Sequence, residues 1–482
     1  MGIGIRMYRS GAIPASLNRD EAALGYNAWA IAYHGTDEWG KRYPLTFESF
    51  GDYKLPGYIY FLSLFIRVFG VHDWVIRLPS LLASLGIIIV TYLLIYRMSH
   101  SKEAALYGAV FVALQPWDIF YGRMAYEAHL ALCLLLWSWW WWLSPRLPHQ
   151  FISFGFLLAA IFTYNTPLLL IPVFLVFVLF APIPKLKKVI TSSAFVVIFL
   201  IGMMVLRNVA AQKQAITILS DPTLTSLQQV AYSHSISWYE KVWNYREAFW
   251  LRQMVTRLWQ SWSPAFLTIR GGQNPWHTVP GGAHLYWISY VLAIMGIGRW
   301  LMQKSVHISI RIGSLLLLLG ILSPAVITID APHATRSLLF FWGLTFMAGV
   351  MTYYTSKWIR WIIIAVLVGE CSLFAWRYFY QFPTYRSTAW PVGLETCLKQ
   401  NQGKSVIVEA ADYDLAADQI YIYPLLYWQI PPSIFLSTAI LGQPDIVHMN
   451  RVLGFENFHI NEYNHESIHI IRAADGSYAI KK

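Results

Sequence analysis

Residues 16–56 read SLNRDEAALGYNAWAIAYHGTDEWGKRYPLTFESFGDYKLP and hold Asp20, Glu21, Asp37, Glu38, Glu48, Asp52 and Lys54. A positioned carboxylate can take a proton from a hydroxyl, and a lysine beside it can hold an anion. Asp20-Glu21 opens an expected helix, EAALGYNAWAIAYH, where an acid in the first turn is favoured. Asp52 and Lys54 come just before an apolar helix, which would hold both at the depth of lipid headgroups. The plain alternative is a solvated loop whose charges mean nothing individually. A second set lies near the ends of apolar segments: Asp118, Arg123, Glu127, His129, Asp330, His333, Arg336 and Arg377. Ionisable groups there are costly and mark function by default. Snorkelling accounts for some of them, particularly Arg377. Acids gathered with Arg, Lys and His at an interface can handle a phosphate whose tail is in lipid.

The elements that must position these groups are membrane helices. Of 482 residues, 56% are hydrophobic and 13% charged, with 23 Trp, 29 Tyr and 27 Phe. Mean hydropathy is +0.44. A soluble fold of this length could not hide so much apolar surface, whereas aromatic belts suit bilayer interfaces. Nucleic acid is not the reason for the net charge of +11, because much of the excess sits in short loops between apolar runs. Cys133, Cys371 and Cys397 form neither a disulfide framework nor a metal spacing.

Apolar runs near 77–97, 104–121, 124–143, 150–164, 166–183, 189–207, 283–301, 309–328, 335–355 and 361–380 predict about ten spans. Alternate loops carry the basic residues: Arg97 and Lys102; Arg146; Lys185, Lys187 and Lys188; Arg299, Lys304 and Arg311; Lys357 and Arg360. The positive-inside rule makes these loops cytoplasmic. Five regions follow: a first extracytoplasmic loop 1–76 with an interfacial helix 56–70, spans 77–207, an outer loop 208–282, spans 283–380, and an outer domain 381–482. That last region reads as a small α/β domain, with a strand at 405–410 and a helix at 415–429, whose plain role is a structural cap. Segment 56–70, interrupted by Arg67, is short for a span. Were it to cross, residues 1–55 would be cytoplasmic.

LNRDEAALGYNAWAI, FESFGDYKLPGYIYFLSLFIRVFG, VIRLPSLLAS, ALQPWDIFYGRMAYEAHLAL and APHATRSLLFFWG closely resemble GT-C glycosyltransferases. The branch is that of protein O-mannosyltransferases and lipid A aminoarabinose transferases. The resemblance runs from about residue 14 to 380, and the tail matches loosely. It implies transfer of a sugar from a polyprenyl-phosphate donor to an acceptor (protein, lipid or glycan) on the outer face. Asp20 matches the catalytic Asp, Glu21 is its neighbour, and Lys54 matches the lysine that faces the lipid phosphate. Arg123, Arg336 and His333 are further phosphate-binding candidates; Asp52, Glu127 and Arg77 complete the set. The family usually has a span before this loop, and this reading takes that first span to be missing here. No cofactor is required on this reading, and a divalent metal is possible but not predicted.

Within the same fold class, an oligosaccharyl transferase or a glycan polymerase is the alternative. From another class comes a secondary transporter, whose sites usually lie at the bilayer midplane, often between repeated halves. Only Glu370 sits clearly within a span, and no repeat is visible. A receptor or scaffold without catalysis is the third reading.

Overall fold

The structure, a computed structural model, describes all residues except 1, 51, 208, 210–216, 273, 280, 307, 385–389, 410–418, 444–449, 462–466, 474–476 and 482. Each of the ten apolar runs is helical. Among the described residues three helices are long and apolar enough to cross a membrane: Asp73–Ser99, Lys185–Val205 and Lys357–Gln381. Others are shorter, among them Leu147–Ile161, Thr166–Phe180 and Trp287–Met302. Two of the expected runs are interrupted by proline, which lacks an N–H and disfavours helix in the residue before it. Run 104–121 breaks at Gln115 into helices Lys102–Leu114 and Pro116–Tyr121. Gln115 repairs the gap: its Nε2 donates to Ser289 Oγ at 2.5 Å and its Oε1 accepts from Tyr286 N at 3.3 Å. Run 309–328 breaks ahead of the helix Ser323–Val326, which begins with Pro324 in its first turn.

The helices form one bundle. Asp73–Ser99 packs on Lys102–Leu114 and Glu127–Trp142, while Leu338–Tyr353 packs on Trp287–Met302 and Lys102–Leu114. The last crossing needs small residues, since a Cβ added to Gly349 would stand 2.5 Å from Gly108 Cα. Basic loops meet at one end of the bundle. Arg97 donates to Leu143 O and Lys187 to Ser144 O, both at 3.0 Å, and Arg360 pairs with Glu103. Loop 16–56 lies at the other end, because Asp73–Ser99 starts beside that loop and finishes at Arg97. Glu370 accepts from Trp287 N and Ile288 N at 3.0 and 3.3 Å, capping the start of the neighbouring helix.

At the loop end, helix Arg19–His34 lies between helices Pro56–Phe69 and Ile422–Trp428. The 14 residues of Pro56–Phe69 span about 21 Å at 1.5 Å per residue, too short for a bilayer core of about 30 Å. Just before it, strands β1 (Phe47–Ser49) and β2 (Asp52–Lys54) form a hairpin that pairs Phe47 with Lys54. The C-terminal region is a six-stranded sheet of β3 (Val406–Glu409), β4 (Ile440–Leu441), β5 (Val452–Phe455), β6 (Phe458–Ile460), β7 (Ile468–Arg472) and β8 (Tyr478–Ile480). Its order is β4-β5-β6-β3-β7-β8, and β3 runs parallel to both neighbours. β3 falls where a strand was expected. The expected helix 415–429 is observed as Ile422–Trp428, and residues 415–418 lie outside the described residues. Tyr26 Oη donates to Ile430 O at 2.8 Å, Tyr423 Oη to Leu17 O at 3.3 Å and Tyr421 Oη to Glu38 Oε1 at 3.0 Å. These bonds fasten the C-terminal domain onto the first loop.

Candidate active site

Asn18 starts the chemistry by ending the coil. Its Oδ1 accepts from Glu21 N at 2.9 Å while Glu21 Oε2 accepts from Asn18 N at 3.0 Å, a reciprocal cap on helix Arg19–His34. Asp20 is thereby held in the first turn, facing the hairpin. Lys54 Nζ donates to Asp20 Oδ1 at 2.6 Å and stands 4.0 Å from Asp52 Oδ2. Among the described residues Asp20 Oδ2 has no hydrogen bond, and the Asp20 side chain stays 26% exposed. Burial on its own would raise the Asp20 carboxyl; Lys54 and Arg19 outweigh it and hold the group at about 2. Burial likewise opposes the Lys54 ammonium, and Asp20, Glu127 and Asp52 together raise its pKa above the usual lysine value.

Glu21, one residue on, has a different fate. It is fully buried, and Arg77 Nε donates to its Oε1 at 3.0 Å and Nη2 to its Oε2 at 3.2 Å. Ala125 N adds a bond to Oε1 at 2.8 Å. Arg77 spends its remaining donors on the carbonyls of Ser10, Pro14 and Ser16. This pair binds three chain segments together and has no surface for a substrate.

A second cluster faces the first. Arg336 Nη1 and His333 Nε2 each lie 3.2 Å from a different oxygen of Asp330. Tyr164 lies within charge range of Arg336, Glu127 and Asp52; His277 lies within range of Asp330, Arg336 and Asp20. One site is therefore assembled from the first loop, the turn at Tyr164 and the start of helix Leu338–Tyr353. Arg123 does not join it, against expectation. Its guanidinium is fully buried, with Nη1 donating to the carbonyls of Ile5 and Arg6 at 2.8 Å and Nη2 to Ile13 O at 3.2 Å. Tyr378 and Phe379 cover it. An arginine at a span end thus anchors backbone instead of meeting a phosphate. Asp118 and His129 are similarly engaged, with Asp118 between Arg6, Ser84 and His129.

Arg19, Phe50, Trp276 and His277 belong to the site and were not expected there. Arg19 stacks 3.7 Å above the Trp276 ring, and Lys54 lies 5.9 Å from Phe50. Arg19 stands next to Asp20 in sequence, a signal that could have been used. Trp276 and His277 arrive from a loop more than 200 residues away, which no local pattern reveals. Among the described residues no group of three or more His, Cys, Asp or Glu is placed to hold a metal ion.

A cavity of about 600 Å³ opens within the bundle, lined by Trp139, Trp142, Phe174, Trp342 and Phe346 among others. A smaller pocket containing Tyr164 and Arg336 adjoins it through Leu135 and Leu339, which line both. A cation, Arg336, beside an apolar chamber suits an amphiphile with an anionic head.

Helical packing of this kind, with a small sheet domain over one end, is shared with solved membrane glycosyltransferases. Residues 54–207 match the family of dolichyl-phosphate-mannose-protein mannosyltransferases. A curated relative, the Bacillus subtilis (strain 168) protein YkcB, named as a candidate mannosyltransferase, is 31% identical over 161 residues. That match covers 30% of this chain and 22% of YkcB, so the chain spans about a fifth of the relative's length. Among solved structures, an oligosaccharyltransferase of Archaeoglobus fulgidus in complex with Zn and sulfate gives a TM-score of 0.50 at 11% identity. It covers 88% of this chain and 60% of that one, and shows the fold alone. ArnT of Cupriavidus metallidurans bound to undecaprenyl phosphate gives 0.47 at 13% identity, over 87% of this chain and 72% of that one. The resemblance read from the sequence is to this same family.

Proposed function

We propose that the chain is a multi-pass membrane glycosyltransferase that moves a sugar from a polyprenyl phosphate to a hydroxyl acceptor on the extracytoplasmic face. The observation that carries this is the Lys54–Asp20 pair, an ammonium and a carboxylate 2.6 Å apart with one carboxylate oxygen left open. The family matched by residues 54–207 takes its name from a lipid-phosphate sugar donor, which fits such a pair. On this reading the ten helical segments act as spans and the basic end faces the cytoplasm.

A lipid-phosphate sugar is already activated. The acceptor hydroxyl gives its proton to Asp20 Oδ2, its oxygen bonds to the anomeric carbon, and the bond to phosphate oxygen breaks with the electron pair leaving on phosphate. Attack opposite the leaving group inverts that carbon. Lys54 and Arg336 stabilise the departing anion. Pairing with Lys54 makes resting Asp20 a weak base; a phosphate that draws the ammonium away leaves the carboxylate more basic when the donor is in place. The lipid tail occupies the apolar cavity beyond Arg336. Glu21 and Arg77 hold the loop in position and touch no substrate.

The test is reconstitution in liposomes with dolichyl-phosphate-mannose carrying a labelled sugar and an extract of envelope acceptors. Transfer that requires Asp20 supports the reading. Absence of both donor binding and turnover across a panel of polyprenyl-phosphate sugars refutes it.

A further inference from the structure

The turn Pro275–His277 brings two aromatic side chains onto the site from the second outer loop. Trp276 lies under Arg19, beside Asp20, and its carbonyl accepts from Tyr126 Oη. His277 packs against His333 with ring centroids 4.8 Å apart and against Tyr126 at 6.0 Å. Both neighbours of that imidazole therefore belong to the bundle end that carries the candidate site.

What sets His277 apart is an unmet valence that still faces open space. Its side chain is 8% exposed, and its ring forms no hydrogen bond among the described residues, although its backbone N–H reaches Asn274 O. Neither ring nitrogen is sealed off from open space. Nearby, His129 bonds Asp118 through Nε2 and His333 bonds Asp330, while the His284 ring, which also makes no hydrogen bond among the described residues, is packed against Phe266 and Phe341 with its Nε2 sealed from open space. Burying a polar ring without partners is costly, and native structures keep such groups where something else completes them. Asp20, Asp330 and Arg336 all lie within charge range of His277. On the proposed reaction, the ring is therefore near both the base and the phosphate cation, where the transferred sugar must lie.

Burial pushes the imidazole down to about 4, so the ring is neutral near pH 7. A neutral imidazole offers one donor and one acceptor. An ionised phosphate only accepts and already has Lys54 and Arg336. A sugar hydroxyl both donates and accepts, which matches the ring. We infer that His277 holds a hydroxyl of the transferred sugar and so helps select which sugar is accepted. The inference rests on the proposed transfer reaction and names the group that reads its donor.

The experiment titrates the full chain in detergent with bare dolichyl phosphate and with dolichyl-phosphate-linked mannose, glucose and the monodeoxy forms of whichever binds better. His277→Phe keeps the ring contact with His333 and removes both hydrogen-bonding atoms; His277→Gln keeps a donor and an acceptor. The Phe variant should bind the sugar-bearing lipid about 5–10-fold more weakly, the scale of one neutral hydrogen bond, and bare dolichyl phosphate unchanged. The Gln variant should recover most of the loss. One monodeoxy donor should bind wild type and the Phe variant equally, identifying the hydroxyl. An equal loss for both lipids in the Phe variant, or no loss in either, overturns the inference while leaving the reaction standing. Wild type that binds bare dolichyl phosphate as tightly as every sugar-bearing lipid also overturns it. Failure of wild type to bind any of these lipids removes the reaction itself.

Discussion

Asp20 and Glu21 are adjacent acids in the same helical turn, and each meets a single cationic side chain. Lys54 leaves Asp20 with one open oxygen and a 26% exposed side chain. Arg77 leaves Glu21 with nothing to offer, because carboxylate and guanidinium are both sealed and every Glu21 oxygen already accepts. Helical geometry separates them by about 100°, so one side of the turn faces the hairpin and the other faces the bundle. Residue type does not distinguish a reactive acid from a structural one. Spare hydrogen-bonding capacity does.

The sharpest break of this comparison comes from removing each acid's charge while keeping its shape. Asp20→Asn should lower turnover by about 10²–10⁴-fold, the usual scale for a general base, with thermal stability in detergent close to wild type and donor binding retained. Near-normal turnover would end the assignment. Glu21→Gln should do the reverse. It leaves the Arg77 guanidinium buried without its counter-charge, a change worth about 3–5 kcal/mol, seen as a clear drop in melting temperature. Protein that remains folded should turn over within about tenfold of wild type, since this is far less than loss of a base costs. A stable but inactive Glu21→Gln enzyme would move the chemistry to Glu21.

How much of this was legible in the sequence follows from the range of the interactions. Helix Arg19–His34 announces itself through the acids of its first turn, Asp20 and Glu21, and its cap is local, since the Asn18–Glu21 bonds span three residues. Asp20 and Lys54 were visible from motif order, and the hairpin that joins them is formed within the same loop. Arg123 misled because its partners, the carbonyls of Ile5, Arg6 and Ile13, lie 110 to 118 residues away. Read locally, an arginine at a span end is a phosphate ligand; in three dimensions it is a clasp on the N-terminal segment. His277 was silent for a related reason, since its significance is the absence of a partner, and only packing reveals that. The apolar helices were found by hydropathy, yet their breaks at Gln115 and ahead of Pro324 depend on proline within apolar runs that hydropathy averages over.

Lys54→Met tests the reactive pair from its other side, with an intermediate effect. Loss of one charge-assisted contact to phosphate should weaken donor binding by about 10–100-fold, consistent with roughly 1.5–3 kcal/mol for a bond to a charged group. The pH profile gives a second readout. Asp20 has a folded pKa below its unfolded one, so the ion pair's contribution is present above the ordinary carboxylate range and lost as pH falls through about 2. Without Lys54, burial is opposed by less positive charge and the carboxyl rises. The acid limb of kcat/KM for the free enzyme should therefore move to higher pH in Lys54→Met. An unmoved limb would mean that Lys54 does not set the basicity of Asp20.

Asp52 offers the smallest effect and the finest discrimination. Its Oδ2 is 4.0 Å from Lys54 Nζ, at the limit of an ion pair, and its side chain is 36% exposed. Its Oδ1 accepts from Tyr53 N at 2.8 Å, a bond within the β2 strand. Exposed pairs of this kind contribute about 0.2–1 kcal/mol, so Asp52→Asn should change donor affinity or turnover by no more than about fivefold. The direction can also be stated. Removing a negative charge beside Lys54 leaves the ammonium less neutralised, which favours an incoming phosphate, so donor affinity should hold or rise slightly. Asp20→Asn also frees Lys54, yet it should abolish most turnover, because it removes the proton acceptor as well as the charge. The two variants therefore share one consequence and differ in the other. If Asp52→Asn loses turnover on the scale of Asp20→Asn, then Asp52 supplies the base and the 2.6 Å pair serves only to fold the loop. If it leaves turnover intact while Asp20→Asn does not, proximity to Lys54 is separated from base function, and the open oxygen of Asp20 is the atom that matters.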